Sequence, residues 1–161
     1  MGHKRMALAG VGVLALLAVP VYAHFHWPAS GRVSSNYYSS RSYGWHRAID
    51  IAGPYGQTIT AAYSGRVSFR GWSGGYGYLV ILGHVNGYST YYAHNSRFAV
   101  AAGQVVSRDA VIAYEGSTGN STGPHCHFEI RRYGTKLYVP ASIGTTKYKR
   151  TTIPYPYPPA M

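Results

Sequence analysis

The sequence predicts an all-β domain, and three observations carry that reading. Of 161 residues, 20 are glycine and 17 tyrosine, while charged residues make up only 12%. Turn formers and aromatic strand formers therefore outweigh helix formers. After residue 23 no stretch sustains an apolar period of 3.6 residues; short β-branched and aromatic runs follow one another, punctuated by glycine. The length suits one domain.

Taken in order, the first 23 residues read as an address rather than as part of the fold. His3, Lys4 and Arg5 precede the apolar run Ala7–Val19, which is short for a bilayer span, and Val21-Tyr22-Ala23 offers small residues for cleavage after Ala23. No cysteine closes that run, so a lipoprotein anchor is not expected, nor is stable membrane insertion after cleavage. Candidate strands follow at Arg32–Ser34, Ala48–Ile51, Thr58–Ala61, Arg66–Phe69, Tyr78–Leu82, Ser89–Ala93, Val111–Tyr114 and His125–Arg131. Asn86-Gly87, between two of them, is a strong hairpin signal because both positions accept positive φ. The domain is expected over residues 24–143. Residues 144–161, with Thr-Thr-Lys-Tyr-Lys-Arg and then Ile-Pro-Tyr-Pro-Tyr-Pro-Pro, read as an extended or disordered basic tail.

Charge narrows the partners. Fifteen Lys and Arg face four acids, giving +11, and removal of Lys4 and Arg5 with the signal would leave +9. A basic exported chain meets anionic cell-wall polymers or acidic lipid surfaces, and export argues against nucleic acid. The acids are Asp50, Asp109, Glu115 and Glu129, so paired-carboxylate chemistry has few candidates. The lone Cys126 excludes an intramolecular disulfide and any CxxC site. Eight histidines leave metal or imidazole chemistry open. Nothing in the sequence fixes an oligomeric state, and a monomer is expected.

The chemistry-bearing residues fall in three motifs. In Gly123-Pro124-His125-Cys126-His127-Phe128-Glu129, strand alternation places His125, His127 and Glu129 on one face and Cys126 and Phe128 on the other. Two imidazoles about 7 Å apart on one face suit one metal centre, as ligand and neighbour. In His46-Arg47-Ala48-Ile49-Asp50, extended geometry turns positions i and i+4 the same way, and a carboxylate among apolar residues needs a neutralising partner such as a metal. His, Asp and His with an open fourth position make up a catalytic zinc site rather than a structural one. The third motif, Tyr91-Tyr92-Ala93-His94, ends the strand after the Asn86-Gly87 turn. Cys126 reads as a buried structural thiol and His84 as a strand-edge residue. His24 and His26 read as loose residues near a new N-terminus, and Tyr43 as a weak candidate for hydrogen bonding an oxyanion. The glycine-rich Gly71–Gly77 stretch lacks a P-loop lysine and reads as a flexible groove wall.

Over residues 27–142 the chain resembles the lysostaphin/LytM-type zinc endopeptidases of bacterial cell walls. The resemblance rests on Trp45-His46-Arg47-Ala48-Ile49-Asp50-Ile51, on Asn86–His94, and on Gly116–Glu129 with its His125-Cys126-His127 core. It implies a compact antiparallel β-sheet with zinc in a groove, His46, Asp50 and His127 as ligands, and His94 and His125 as the catalytic histidines. It also implies hydrolysis of peptide cross-links in peptidoglycan by a secreted or periplasmic enzyme. Ala48 stands where many members have glycine and Asn95 where leucine is common; neither is a ligand position. Two other classes fit less of the sequence: a non-catalytic wall-binding or amidase-activating module of the same fold, and a metal-storage protein.

Overall fold

A computed structural model describes residues 24–42 and 44–154. Residues 1–23, read above as an export signal, Tyr43 and the last seven residues lie outside that range. Among the described residues fourteen strands run in chain order: β1 Gly31–Ser35, β2 Ser39–Arg41, β3 Gly44–His46, β4 Ile49–Ala52, β5 Thr58–Thr60, β6 Gly65–Trp72, β7 Tyr78–Gly83, β8 Tyr88–Asn95, β9 Arg97–Phe98, β10 Val105–Val106, β11 Val111–Tyr114, β12 Cys126–Arg132, β13 Thr135–Lys136 and β14 Thr146–Lys147. Helical structure among the described residues is confined to two 3-10 turns, Gly74–Tyr76 and Val85–Gly87. The all-β expectation holds. Each of the eight strands read from the sequence is present, with ends shifted by three residues or fewer.

The main sheet is antiparallel, in the order β10-β6-β7-β8-β12-β4-β1-β14, with β13 pairing β12. A second sheet, β5-β11-β9, shares its core, and β2 and β3 form a separate hairpin. Alternation along the central strands produces two unlike faces. Ile49 and Ile51 of β4, Tyr92 of β8, and Cys126, Phe128 and Ile130 of β12 point into one core with Ile59, Ile112 and Ala113 of the second sheet. Asp50, His127 and Glu129 point the other way, into a groove. Burying the first set holds the register, and that register fixes the second set, because a one-residue slip would exchange the faces.

The turn at Asn86-Gly87 closes β7 onto β8, with both residues at positive φ (58° and 74°). Much of the tyrosine content is structural. Tyr92 is fully buried, its hydroxyl accepting from Ala62 N at 2.9 Å and sharing a hydrogen bond with Thr90 Oγ1. Tyr114 and Tyr91 carry the guanidinium groups of Arg97 and Arg131 over their rings.

The chain after Gly144 departs from the sequence reading. Residues 144–154 are not loose: β14 pairs with β1, Thr152 bridges His26, and Ile153 sits in the core at 3% exposure. Its basic, proline-rich composition hid one apolar anchor and an open sheet edge that accepts it. His26 is likewise tied down, its Nδ1 2.9 Å from Asp109 Oδ1.

Candidate metal centre

Three strands bring the donor atoms together. His46 ends β3, Asp50 lies in β4, and His127 in β12 pairs in register with Asp50. Asp50 Oδ1 is 3.1 Å from His46 Nε2 and 2.9 Å from His127 Nδ1, and the two nitrogens are 3.2 Å apart. A tetrahedral ion about 2.0–2.1 Å from N and O ligands separates them by about 3.3 Å, so two imidazoles and one carboxylate fit zinc in chemistry and spacing. His46 and Asp50 do converge as expected, but by a different route: Arg47 and Ala48 break the strand, and their turn lets β4 leave the β2–β3 hairpin.

Each donor is held from behind. His46 Nδ1 donates to Asn36 O and faces Ser35 Oγ, each at 3.1 Å, which leaves Nε2 as the donor atom. Asp50 gives Oδ1 to the centre while Oδ2 accepts from Arg41 Nη2 at 3.2 Å. His127 Nε2 donates to Glu129 Oε1 at 3.0 Å. Glu129 is itself held by Tyr76 Oη, by Lys136 Nζ at 2.7 Å, and by the Arg131 guanidinium. This carboxylate–histidine pair fixes the His127 tautomer and ring orientation. Glu129 is thus a support beneath the site, and Tyr76 gives the glycine-rich stretch a definite place in the groove wall.

The electrostatics keep Asp50 ionised and His127 protonated while no ion is bound. Burial alone would raise the Asp50 carboxyl, but hydrogen bonds from His127 and His46 hold it well below the usual carboxylate range. Burial of His127 opposes charging its ring, yet hydrogen bonds to Asp50 and Glu129 outweigh it and push the metal-free pKa up to about 9. A metal ligand must be deprotonated, so between pH 7 and about 9 an ion displaces one proton from His127. Zinc affinity should therefore rise about tenfold per pH unit over that range, with about one proton released per zinc at pH 7. Calorimetry in buffers of different ionisation enthalpy measures that proton; none released would mean that Asp50 and Glu129 do not control His127.

Two further histidines flank the donors. His125 Nδ1 donates to Gly123 O at 2.8 Å, and its Nε2 lies 3.7 Å from Asp50 Oδ1. His94 Nδ1 donates to Thr118 O at 2.7 Å, and its ring centroid is 4.6 Å from that of His125. In each case a backbone carbonyl takes the Nδ1 proton and leaves Nε2 as the available atom. Burial, then the neighbouring His125 and His127 rings, lowers the His94 pKa to about 4, so the ring is neutral at pH 7. His94 holds φ of 61°, a left-handed conformation that costs about 1–3 kcal/mol in a non-glycine residue. Its neighbours secure it. Asn95 Nδ2 donates to Tyr92 O and Tyr78 O, and Thr118 Oγ1 donates to Asn95 O and accepts from Tyr78 N. Gly77 and Gly119 meet at this point at positive φ, where an added Cβ would come within 2.4 Å of backbone.

The groove holding these groups measures about 800 Å³. Cys126 faces the core at 1% exposure, and burial pushes its thiol up, which suits a structural role. His84 lies away from the groove, bonded to Ser64 O and Thr90 Oγ1. Sequence reasoning missed Ser35, Asn36, Arg41, Tyr76 and Thr118, which have no fixed spacing to the motifs they support.

A His-Asp-His donor set on an antiparallel sheet, at the floor of an open groove, is the arrangement of a metallopeptidase. The chain belongs to peptidase family M23, whose profile matches residues 44–139. It is 47% identical over 99 residues to the DD-carboxypeptidase/endopeptidase Mpg of Neisseria meningitidis, covering 62% of this chain and 23% of that protein. It is 42% identical over 121 residues to the murein hydrolase activator NlpD of Salmonella typhimurium, covering 74% and 31%. Among solved structures, a zinc-containing peptidase from Vibrio cholerae superposes with a TM-score of 0.68 at 26% identity, over 75% of this chain and 40% of that one. The catalytic domain of lysostaphin from Staphylococcus simulans gives 0.58 at 30% identity, over 66% and 81%. The chain spans about a quarter to a third of the length of the two curated relatives named.

Proposed function

We propose that this protein is an exported zinc endopeptidase that hydrolyses peptide cross-links of bacterial peptidoglycan, acting in the periplasm or at the cell wall. The observation that carries this reading is the convergence of Asp50 Oδ1, His46 Nε2 and His127 Nδ1 within 3.2 Å of one another, beside two histidines with uncommitted Nε2 atoms. In this reading His46, Asp50 and His127 hold the metal, and His94 and His125 are the catalytic residues. When bound, zinc supplies Lewis acidity toward a carbonyl oxygen and lowers the pKa of water toward neutrality. His94, neutral and fixed as a proton acceptor at Nε2, would take a proton from the attacking water and return it to the leaving amine nitrogen as the C–N bond breaks, while His125, held by Gly123 O across the centre, would flank the developing oxyanion. Glu129 keeps the His127 ring aligned and stays ionised because burial is outweighed by its bonds to His127 and Lys136.

The second reading is a wall-binding or hydrolase-activating module, favoured by the name of the Salmonella relative. The complete His46, Asp50 and His127 donor set favours the enzyme over this second reading.

The test is release of cross-linked muropeptide products from purified peptidoglycan, read by mass spectrometry with and without a zinc chelator. Zinc-dependent cleavage supports the enzyme; binding without any cut bond supports the module. Added salt discriminates the wall contact. Attraction between the basic chain and an anionic wall is screened beyond about 10 Å at 0.1 M, so lysis of whole walls should fall steeply with salt while cleavage of a small soluble peptide falls little. Equal salt sensitivity would remove wall attraction.

A further inference from the structure

Of the four acids, Asp50 and Glu129 belong to the centre and Asp109 pairs with His26. Glu115 is left without a task. It directly follows β11 and is 1% exposed, yet among the described residues no cation pairs with it. Its oxygens are met by two donors, Gly53 N at 2.9 Å on Oε1 and Gln57 Nε2 at 2.7 Å on Oε2. The same Gln57 nitrogen donates to Ser30 O at 2.8 Å, just ahead of β1. Backbone bonds repeat the link, from Glu115 N to Gln57 O and from Gly56 N to Glu115 O. One buried carboxyl thus ties the end of β11 to the exit of β4 and the entry of β1. Gly53 is fitted to this clasp, since an added Cβ there would run into the Gln57 amide and Ser30 O.

Packing alone does not call for such a group. Burial outweighs the bonds from Gln57 and Gly53 and pushes the Glu115 carboxyl up to about 7. Its ionised form therefore costs stability that a neutral side chain of the same shape would not. What the clasp holds in place lies one residue on. Gly116 O accepts from His125 N at 3.3 Å. Gly116 also abuts the backbone after β8, where an added Cβ would lie 2.8 Å from His94 O and 2.5 Å from Ser96 N. The segment clamped by Glu115 on one side meets the backbone of both flanking histidines on the other. His94 is held at positive φ, so its ring direction depends on what its backbone rests against.

We propose that Glu115 is a positioning residue for His94 and His125: clasped by Gln57 and Gly53, it sets the place of Gly116 and through it the direction of both rings. The catalytic status of the two histidines rests on the endopeptidase reading above, while their placement by Glu115 does not.

The experiment compares zinc-loaded wild type with Glu115→Gln and Gln57→Met. Glu115→Gln keeps the shape of the side chain but sets an amide N–H against Gln57 Nε2, which already serves Ser30 O, so one bond of the clasp is lost. Gln57→Met removes the donor from the other side and leaves Glu115 in place. The histidine ring-nitrogen resonances are read by NMR, which needs no turnover. Both variants should shift the His94 and His125 signals and leave His84, bonded to Ser64 and Thr90 instead, where it is. On a soluble cross-linked stem peptide kcat should fall about 3- to 30-fold, the size of coupling carried by residues that touch neither ligand. KM and zinc content should change little. Shifted rings in a protein that cuts no bond would remove the endopeptidase reading and keep the positioning role. Unmoved His94 and His125 signals in the folded variants, or a lower melting temperature with kcat intact, overturns the proposal. Failure of both variants to fold does the same, because it would make the clasp a support of the core alone.

Discussion

His46→Ala, Asp50→Ala and His127→Ala should each lose most of the bound zinc, and with it all measurable hydrolysis, while the folded protein remains. A three-residue centre has no spare donor, and removal of one leaves too few bonds to retain an ion against a chelator. The three substitutions differ in what they leave behind. Asp50→Ala strands Arg41 beside two histidines and should also cost stability, because Asp50 accepts from Arg41, His46 and His127 together. His127→Ala frees Glu129 from one partner but leaves Lys136, Arg131 and Tyr76 to hold it. Elemental analysis beside circular dichroism decides the matter. Stoichiometric zinc in all three folded variants would exclude this donor set.

His125→Ala and His94→Ala should behave in the opposite way, keeping about one zinc and losing activity by about 10²-fold or more, the usual scale for removing acid–base help. The expected difference follows from the proposed roles and from unequal distances to Asp50. His125 and His127 are two residues apart in sequence, yet His127 Nδ1 lies 2.9 Å from Asp50 Oδ1 while His125 Nε2 lies 3.7 Å away. His125 also spends its other nitrogen on its own loop, at Gly123 O. A zinc-free but folded His125→Ala would move it into the donor set. A fully active His94→Ala would leave the metal centre intact and remove His94 from the mechanism. Thr118 offers a finer check, since its carbonyl fixes the His94 tautomer from the backbone and its hydroxyl fixes the loop. Thr118→Val should therefore lower kcat with little change in zinc content.

The main sheet was legible in the sequence because its central strands alternate cleanly. Buried Cys126, Phe128 and Ile130 interleave with His127 and Glu129, and buried Ile49 and Ile51 flank Asp50. The short strands were not legible. Ser39–Arg41, Gly44–His46, Arg97–Phe98, Val105–Val106, Thr135–Lys136 and Thr146–Lys147 are two or three residues long. Runs so brief carry too little alternation to register, and they exist because a neighbouring strand offers unpaired backbone groups. The basic segment after Gly144 was misread for the same reason: the edge of β1 and the pocket for Ile153 come from residues more than a hundred positions away.

The sequence by itself determined the fold class and the three motifs, because strand period and residue chemistry are local properties; the site roles of their histidine and aspartate residues were implied by the family resemblance. Only the tertiary structure decided how those residues are placed and held. The turn at Arg47–Ala48, rather than one continuous strand, brings His46 to Asp50. Glu129 supports His127 from behind, since Tyr76, Arg131 and Lys136 converge on it. Among the described residues Arg47 has no carboxylate partner, because each acid is engaged elsewhere. Such facts depend on distances between residues far apart in the chain, which packing of the core sets and no local pattern encodes.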